Sequence, residues 1–304
     1  METTSTTEPP SCACSGIRFC NRCINSDRVK YLFSGNVQLR NADDVIANQT
    51  SNDRTSSLSF ALLGNSHKSV CIECGVVYNS SVLITSCADH KNKTDDKVDV
   101  MVKGLFVERD VISDQEEADL IHFFDNPSPF PDWKISQSGR RKQDFGPKRN
   151  FKKKKVKPAD FPHMPKVFEP LFCKVSKEVS QCTASIPYSI AEVSVLEYTS
   201  ENMSNFDPHI DDTWLWGDRI AGVNLLEDCV MTFVDSNGNV VDAFLPRRCL
   251  FLMSSDCRSI WMHGIRPENI KGRRVSITMR ELSDEIKQDL AVAAPLLEAA
   301  RSFV

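Results

Sequence analysis

Long apolar runs are missing from this chain of 304 residues, so no segment reads as a bilayer-spanning helix. The amino terminus, METTSTTEPP, has neither the basic start nor the apolar stretch of a secretory signal. These absences lead to the expectation of a soluble intracellular protein with no membrane partner. Such a setting does not sustain structural disulfides, so the twelve cysteines are expected in metal sites and as buried thiols. Internal repeats are absent too, so the chain is not assembled from copies of one unit. Acidic residues nearly vanish from one stretch. Residues 134–157, KISQSGRRKQDFGPKRNFKKKKVK, hold eleven Lys and Arg against the single Asp144. That segment carries +10 within a chain of net −4, leaving −14 for the rest. A basic arm on an acidic body is therefore the main electrostatic feature.

What is present is ordinary for a soluble globular protein: 41% hydrophobic and 26% charged residues, at a length that suits one large domain with extensions. Residues 1–25 are cysteine-rich, and residues 26–100 show no recognisable fold. From about residue 101 the pattern becomes regular. VKGLFVERDVI reads as a strand, and Ser113 with Glu116 forms a capping box that opens a helix, SDQEEADLIHFF. Gly139, Gly146 and Pro147 mark loops in the basic arm. Residues 166–185 place Val167, Leu171, Val175 and Val179 on one helical face. After Pro187 come SIAEVSVLEY, RIAGVNLL, CVMTFV, VVDAFL, RRCLFLM and RRVSITM, short strands separated by turns. They imply an all-β sandwich or barrel. The tail, 286–304, reads as a helix interrupted near Pro295.

The stretch FDPHIDDTWLWGD places His209 two positions before Asp211. Residues i and i+2 of a strand face the same side, so imidazole and carboxylate can meet one ion. His263, in SIWMHGI, follows Asp211 with 51 residues between them and supplies a third donor. Two histidines and a carboxylate form the facial set of non-haem Fe(II) oxygenases. In RVSITMR, Arg274 and Arg280 stand six apart on a strand, an even interval, so both point into one cavity. Guanidinium forks suit carboxylates. Alone, His209 reads as a buried core histidine; the ordered set favours metal. Asp212 is a supporting or merely a loop residue, and Trp214 and Trp216 are core, cavity wall or base-stacking groups.

This ordered set resembles the AlkB family of 2-oxoglutarate-dependent dioxygenases. WKISQSGRRKQDFGPK, PHIDDTWLWGDRI and RRVSITMREL are similar to an animal branch of that family, over roughly residues 101–285 plus the first 25. The resemblance implies a mainly β protein with flanking helices (α+β), built on a double-stranded β-helix or jelly roll. It implies His209, Asp211 and His263 as catalytic iron ligands. It also implies 2-oxoglutarate held by Arg274 at its distal carboxylate, with Tyr198 helping, and Arg280 near its keto-acid end. GRRKQDFG resembles the family's substrate lid, with Arg140, Arg141, Lys142 and Phe145. The implied activity is oxidative N-demethylation of N6-methyladenine in DNA or of monomethyl-lysine in a protein such as actin. Leu196, Ser276 and Thr213 depart from the pattern of the repair enzymes, where the first two are Asn and the third is acidic.

The basic arm suits DNA through counterion release, an acidic protein surface, or import into the nucleus, with cytoplasmic residence also open. A catalytically silent chromatin adaptor is the reading from another class, and the complete iron and 2-oxoglutarate motifs argue against it. Cys12, Cys14, Cys20 and Cys23 can close a tetrahedral zinc site, bind an iron–sulfur cluster or stay free. Cys71, Cys74, Cys87 and His90 offer an alternative zinc set. Cys173, Cys182, Cys229, Cys249 and Cys257 are expected as buried small hydrophobes.

Overall fold

The computed structural model describes residues 12, 14, 18–19, 22–34, 59–92, 96–150 and 153–304. Two short pieces open it. Helix α1 spans Asp27–Ser34, and strands β1 (Lys68–Val70) and β2 (Val77–Asn79) form a hairpin. Strand β3 (Leu105–Glu108) leads to helix α2 (Asp114–Asp125). The Ser113–Glu116 capping box opens α2 as expected, each side chain bonding the other's backbone N–H. The basic segment forms β4 (Lys134–Ile135), β5 (Arg141–Phe145), β6 (Lys148–Asn150) and β7 (Lys155–Lys157). Helix α3 (Phe168–Cys182) follows; Val167, its N-cap, packs half-buried against the same core as Leu171, Val175 and Val179.

The regular β region then runs β8 (Glu192–Thr199), β9 (Phe206–His209), β10 (Trp216–Leu225), β11 (Cys229–Val234), β12 (Val240–Leu245) and β13 (Leu250–Met253). A short helix α4 (Ser255–Ser259) precedes β14 (Met262–Ile265) and β15 (Arg273–Leu282). Helices α5 (Asp284–Gln288) and α6 (Leu290–Arg301) end the fold. The tail therefore breaks at Asp289, not at Pro295. The Asp289 carboxylate accepts from the Val292 N–H and starts a new helix, which continues through the proline. Burial of Ala293, Leu296 and Ala300 on the inner face of α6 holds that helix despite the lost hydrogen bond.

Two sheets face each other. The smaller has the order β2-β1-β12-β11-β14-β9, and the larger β3-β13-β10-β15-β8-β5-β4. This is the jelly-roll arrangement of a mainly β protein with flanking helices. Strand β1 pairs in parallel with β12, so the described part of the stretch before residue 101 belongs to the β core. The expected start near residue 101 falls inside the fold. The sequence hides this because each strand is only three residues long and gains its order from long-range pairing.

The larger sheet is covered on both faces, which explains why every residue of β10 but Asp218 is buried. On its outer face Val193, Val195, Val223, Val275, Ile277 and Met279 pack under Leu120 and Phe124 of α2 and Phe168, Leu171, Val175 and Val179 of α3. The alternate residues of β15, namely Arg274, Ser276, Thr278 and Arg280, line a cavity between the sheets. A second apolar cluster fills the rest of that space, with Ile220, Met231, Phe233, Phe251, Met253 and Ile265. No helix among the described residues is long and apolar enough to cross a membrane.

Candidate metal and cosubstrate site

Strands β9 and β14 pair so that His209 lies directly opposite His263. β9 is the edge strand of the smaller sheet, the position where Pro208 costs no ladder bond. The chain leaves the sheet immediately after His209, so Asp211 stands in a loop rather than on the strand. All three side chains nevertheless meet: one donor atom from each lies within 4.8 Å of the others. The Asp211 main chain is held by the buried Arg258 of α4, which donates to the carbonyls of Asp211 (3.0 Å) and Gly217 (3.2 Å).

The protonation states suit a cation. Nδ1 of His209 lies 3.0 Å from the Asp207 carbonyl, an acceptor, so Nδ1 carries the hydrogen and Nε2 keeps its lone pair. Burial depresses the imidazoles, His209 to about 4 and His263 to about 3, where the second histidine adds to the effect. Both rings are therefore neutral at pH 7. Burial opposes the charge on Asp211, but Arg280 and the two histidines overcome it and hold the carboxyl well below its usual range. Its Oδ1 accepts from Arg280 Nη2 (2.9 Å), while Oδ2 faces His263 Nε2 at 3.6 Å. The buried Nδ1 of His263 has no hydrogen-bond partner among the described residues. A negative oxygen, two neutral nitrogens and an unsatisfied buried ring form a donor set that fits a divalent transition metal.

Along the adjacent strands the register places Arg274 beside Tyr198, Ser276 beside Leu196 and Arg280 beside Glu192. Arg274 is 1% exposed, its Nε donates to Asn224 Oδ1 (2.7 Å), and its guanidinium lies 4.9 Å from the Tyr198 ring centre. Asn224 is itself fixed through three carbonyls, those of Glu227, Leu245 and Pro246. Arg274 therefore has one orientation, with its fork free to meet a carboxylate in the cavity. Arg280 is locked between Asp211 and Glu192, the latter at 2.9 Å. Glu192 also accepts from Arg149 (2.6 Å), and Arg149 reaches Asp144 (3.2 Å). An alternating chain of charges thus links the carboxylate of the triad to the basic segment.

That segment is not the free arm its composition suggests. Strands β4 and β5 complete the larger sheet, with β5 on β8. Arg141 makes two hydrogen bonds of 2.7 Å to Glu197, Lys142 pairs with Asp144, and Lys148 with Asp160. Phe145 is a core residue packed edge-on against Phe168, not a lid residue. Of the four lid candidates only Arg140 approaches the cavity, lying 3.8 Å above the ring of Phe206 in its wall. A one-dimensional charge count misses the pairings of Arg141 and Lys148 because their acids, Glu197 on β8 and Asp160 beyond β7, lie outside the charge run. Among the described residues of the segment the exposed cations are Lys134, Lys148, Lys153, Lys154, Lys155 and Lys157, and all but Lys134 lie on or beside β6 and β7. Their hairpin is anchored by Val156 against Leu215, Trp216 and α6.

Trp216 is core and also a flank of the site, with Arg280 and Arg149 each within 6 Å of its ring. Trp214 packs in the same apolar cluster. Asp212 accepts from the Trp214 indole N–H (3.2 Å), a loop-stabilising role. Cys12, Cys14 and Cys23 lie together, one sulfur from each within 4.8 Å of the others, while Cys20 falls outside the described residues. Cys229, Cys249 and Cys257 are buried as expected, whereas Cys173 and Cys182 are exposed. Their helix, α3, turns its apolar face inward through Leu171, Val175 and Val179, leaving both thiols outside that face.

Glu192, Asn224, Arg258 and Asp207 are the supporting residues that motif reading passes over. Strand parity with Tyr198 could flag Glu192, since 192, 194, 196 and 198 share a face. Nothing local marks Arg258. Asp207, buried beside His209, accepts from the Phe60 N–H (3.1 Å) and Arg18 (3.3 Å), tying the cysteine-rich segment to β9.

Residues 126–280, which contain the donor set and both arginines, match the model of the 2OG-Fe(II) oxygenase superfamily. The chain belongs to that superfamily. It is an oxygenase whose family uses Fe(II) and 2-oxoglutarate. A protein of Caenorhabditis elegans described as "DNA N6-methyl adenine demethylase" is 32% identical over 91% of this chain and 89% of its own length. The alkB homolog 4 dioxygenase of Mus musculus is 34% identical over 66% of this chain and 75% of its own, and that of Homo sapiens 33% over the same shares. Among solved structures, that of OsALKBH1 aligns with a TM-score of 0.46 at 12% identity, over 59% of this chain and 98% of that one.

Proposed function

We propose that this oxygenase removes the methyl group of N6-methyladenine in DNA, releasing formaldehyde, succinate and CO2. The observation that carries the substrate assignment is the near end-to-end similarity to the nematode demethylase. In this reading His209, Asp211 and His263 hold iron, Arg274 and Tyr198 take the distal carboxylate of 2-oxoglutarate, and Arg280 lies toward its keto-acid end. Bound iron, with 2-oxoglutarate and O2, supplies the oxidation of the N-methyl carbon. The chain's own part is positional. Asn224 fixes the fork of Arg274, and Glu192 fixes Arg280. Arg280 keeps one oxygen of Asp211 occupied, leaving the other for the metal. Met231, Phe251, Met253 and Ile265 make the cavity wall apolar and limit water. The methylated base must leave the stack to reach this cavity, and exposed lysines near β7 attract the phosphates. The same lysines suit nuclear entry, and we place the protein in the nucleus.

The second reading is demethylation of monomethyl-lysine in a protein such as actin. It is favoured by the internal pairing of Arg141, Lys142, Lys148 and Arg149, which leaves fewer cations for phosphate than the composition implies. The intact donor set and superfamily membership speak against the adaptor reading. For the amino-terminal segment, the convergence of Cys12, Cys14 and Cys23 supports a zinc site with Cys20 as fourth thiolate. The deciding experiment compares formaldehyde release from N6-methyladenine oligonucleotides and methyl-lysine peptides across a salt series. DNA turnover that falls steeply with salt is expected. Turnover of peptides alone overturns the assignment.

A further inference from the structure

A second cluster of metal donors lies outside the oxygenase site. Cys71 and Cys74 belong to the turn that joins β1 to β2, and Cys87 and His90 to the 3-10 turn Cys87–His90. One donor atom from each of the four lies within 4.8 Å of the others. Cys71 Sγ is 3.7 Å from Cys87 Sγ, and Cys74 Sγ is 3.6 Å from His90 Nε2. A tetrahedral zinc with ordinary bond lengths requires edges of about 3.8 Å between sulfurs and about 3.6 Å from sulfur to nitrogen. Both measured edges fall close to these values.

The surroundings hold the donors in place. Gly75 adopts φ +73° directly after Cys74, and its N–H donates to the Cys71 carbonyl (2.8 Å), closing a tight turn around the pair. Glu73 accepts from the Cys87 N–H (2.7 Å), tying the two turns together. Asp89 accepts from the backbone of Thr85 and Ser86 and fixes the second turn. The ring of Tyr78 stacks on His90 with centres 4.4 Å apart. Cys71 is buried, and the β1–β2 edge is opposite to the edge formed by β9 in the same sheet. The cluster is thus remote in the sheet order from His209.

We infer that Cys71, Cys74, Cys87 and His90 form a closed Cys3His zinc site that fastens the β1–β2 hairpin to the jelly roll. Four protein donors leave no open position, so the ion is structural rather than catalytic. Its binding releases the three thiol protons to solvent. The hairpin has only three residues per strand, too few to hold an edge by backbone pairing alone, and the ion supplies the missing constraint.

The test uses the full chain carrying Cys12→Ser, Cys14→Ser, Cys20→Ser and Cys23→Ser, which removes the other cysteine cluster. Elemental analysis of this protein is expected to find about one zinc per chain. Adding Cys74→Ser is expected to lose it, while His90→Cys retains it. Cobalt substitution of the protein with all four donors intact should give thiolate-to-cobalt charge-transfer bands and the strong visible bands of a tetrahedral site. This readout stands even where Cys74→Ser unfolds the chain. Absence of zinc, iron bound by the thiolates as shown by sulfur-to-iron charge-transfer bands, or a Cys71–Cys87 disulfide in the freshly isolated protein overturns the inference.

Discussion

Two cation-rich regions of this molecule behave in opposite ways. Inside, Arg258 and Arg274 are buried, Arg280 is nearly so, and all three are pinned by carbonyls, an amide or carboxylates. Outside, Lys153, Lys154, Lys155 and Lys157 are exposed on and beside a hairpin whose anchors, Val156 and Arg149, are other residues. A desolvated guanidinium with fixed hydrogen bonds meets a carboxylate at a defined place. An exposed ammonium on a flexible stem contributes attraction that salt screens. The inner set accordingly serves recognition and positioning, the outer set capture.

The sharpest way to break that comparison is at the carboxylate shared by the two histidines and Arg280. Asp211→Ala is expected to abolish 2-oxoglutarate-dependent succinate formation while circular dichroism stays that of the parent; retained turnover removes Asp211 from the donor set. Arg274→Lys keeps the charge but loses the planar fork and the fit to Asn224. Its KM for 2-oxoglutarate should rise roughly 10- to 100-fold, the worth of a charged hydrogen bond in a buried site. Glu192→Gln removes the charge between Arg280 and Arg149. The Fe(II) concentration needed for half-maximal activity should rise about tenfold, as for other groups that orient metal ligands. An unchanged iron requirement would reduce Glu192 to a packing role. The smallest effect belongs to the outer lysines. Replacing Lys153, Lys154, Lys155 and Lys157 by Ala should flatten the plot of log affinity for DNA against log salt, by about 0.7–0.9 for each phosphate no longer neutralised. An unaltered slope would show that capture lies elsewhere.

The strands after Pro187 are legible in the sequence because each is a run of β-branched or apolar residues bounded by turn chemistry. CVMTFV and VVDAFL coincide with β11 and β12. The capping box of α2 is equally readable, since its hydrogen bonds are local. The short strands β1 and β2 carry no comparable signal, and the partner that joins them to the core, β12 beside β1, lies more than 160 residues away in sequence. The basic segment reads as a lid from composition because Glu197, Glu192 and Asp160, which neutralise much of it, stand outside the charge run itself.

By itself, the sequence determined the donor types and their order: His209, Asp211 and His263, followed by two arginines at an even interval. Periodicity two in a strand is a local property, so it fixes which side chains share a face. Only the tertiary structure decided which cations are buried, which acids they meet, and that a Cys–Cys pair and a Cys–His pair from separate turns close on one point. Those outcomes depend on sheet register between distant segments, and no short window of sequence contains it.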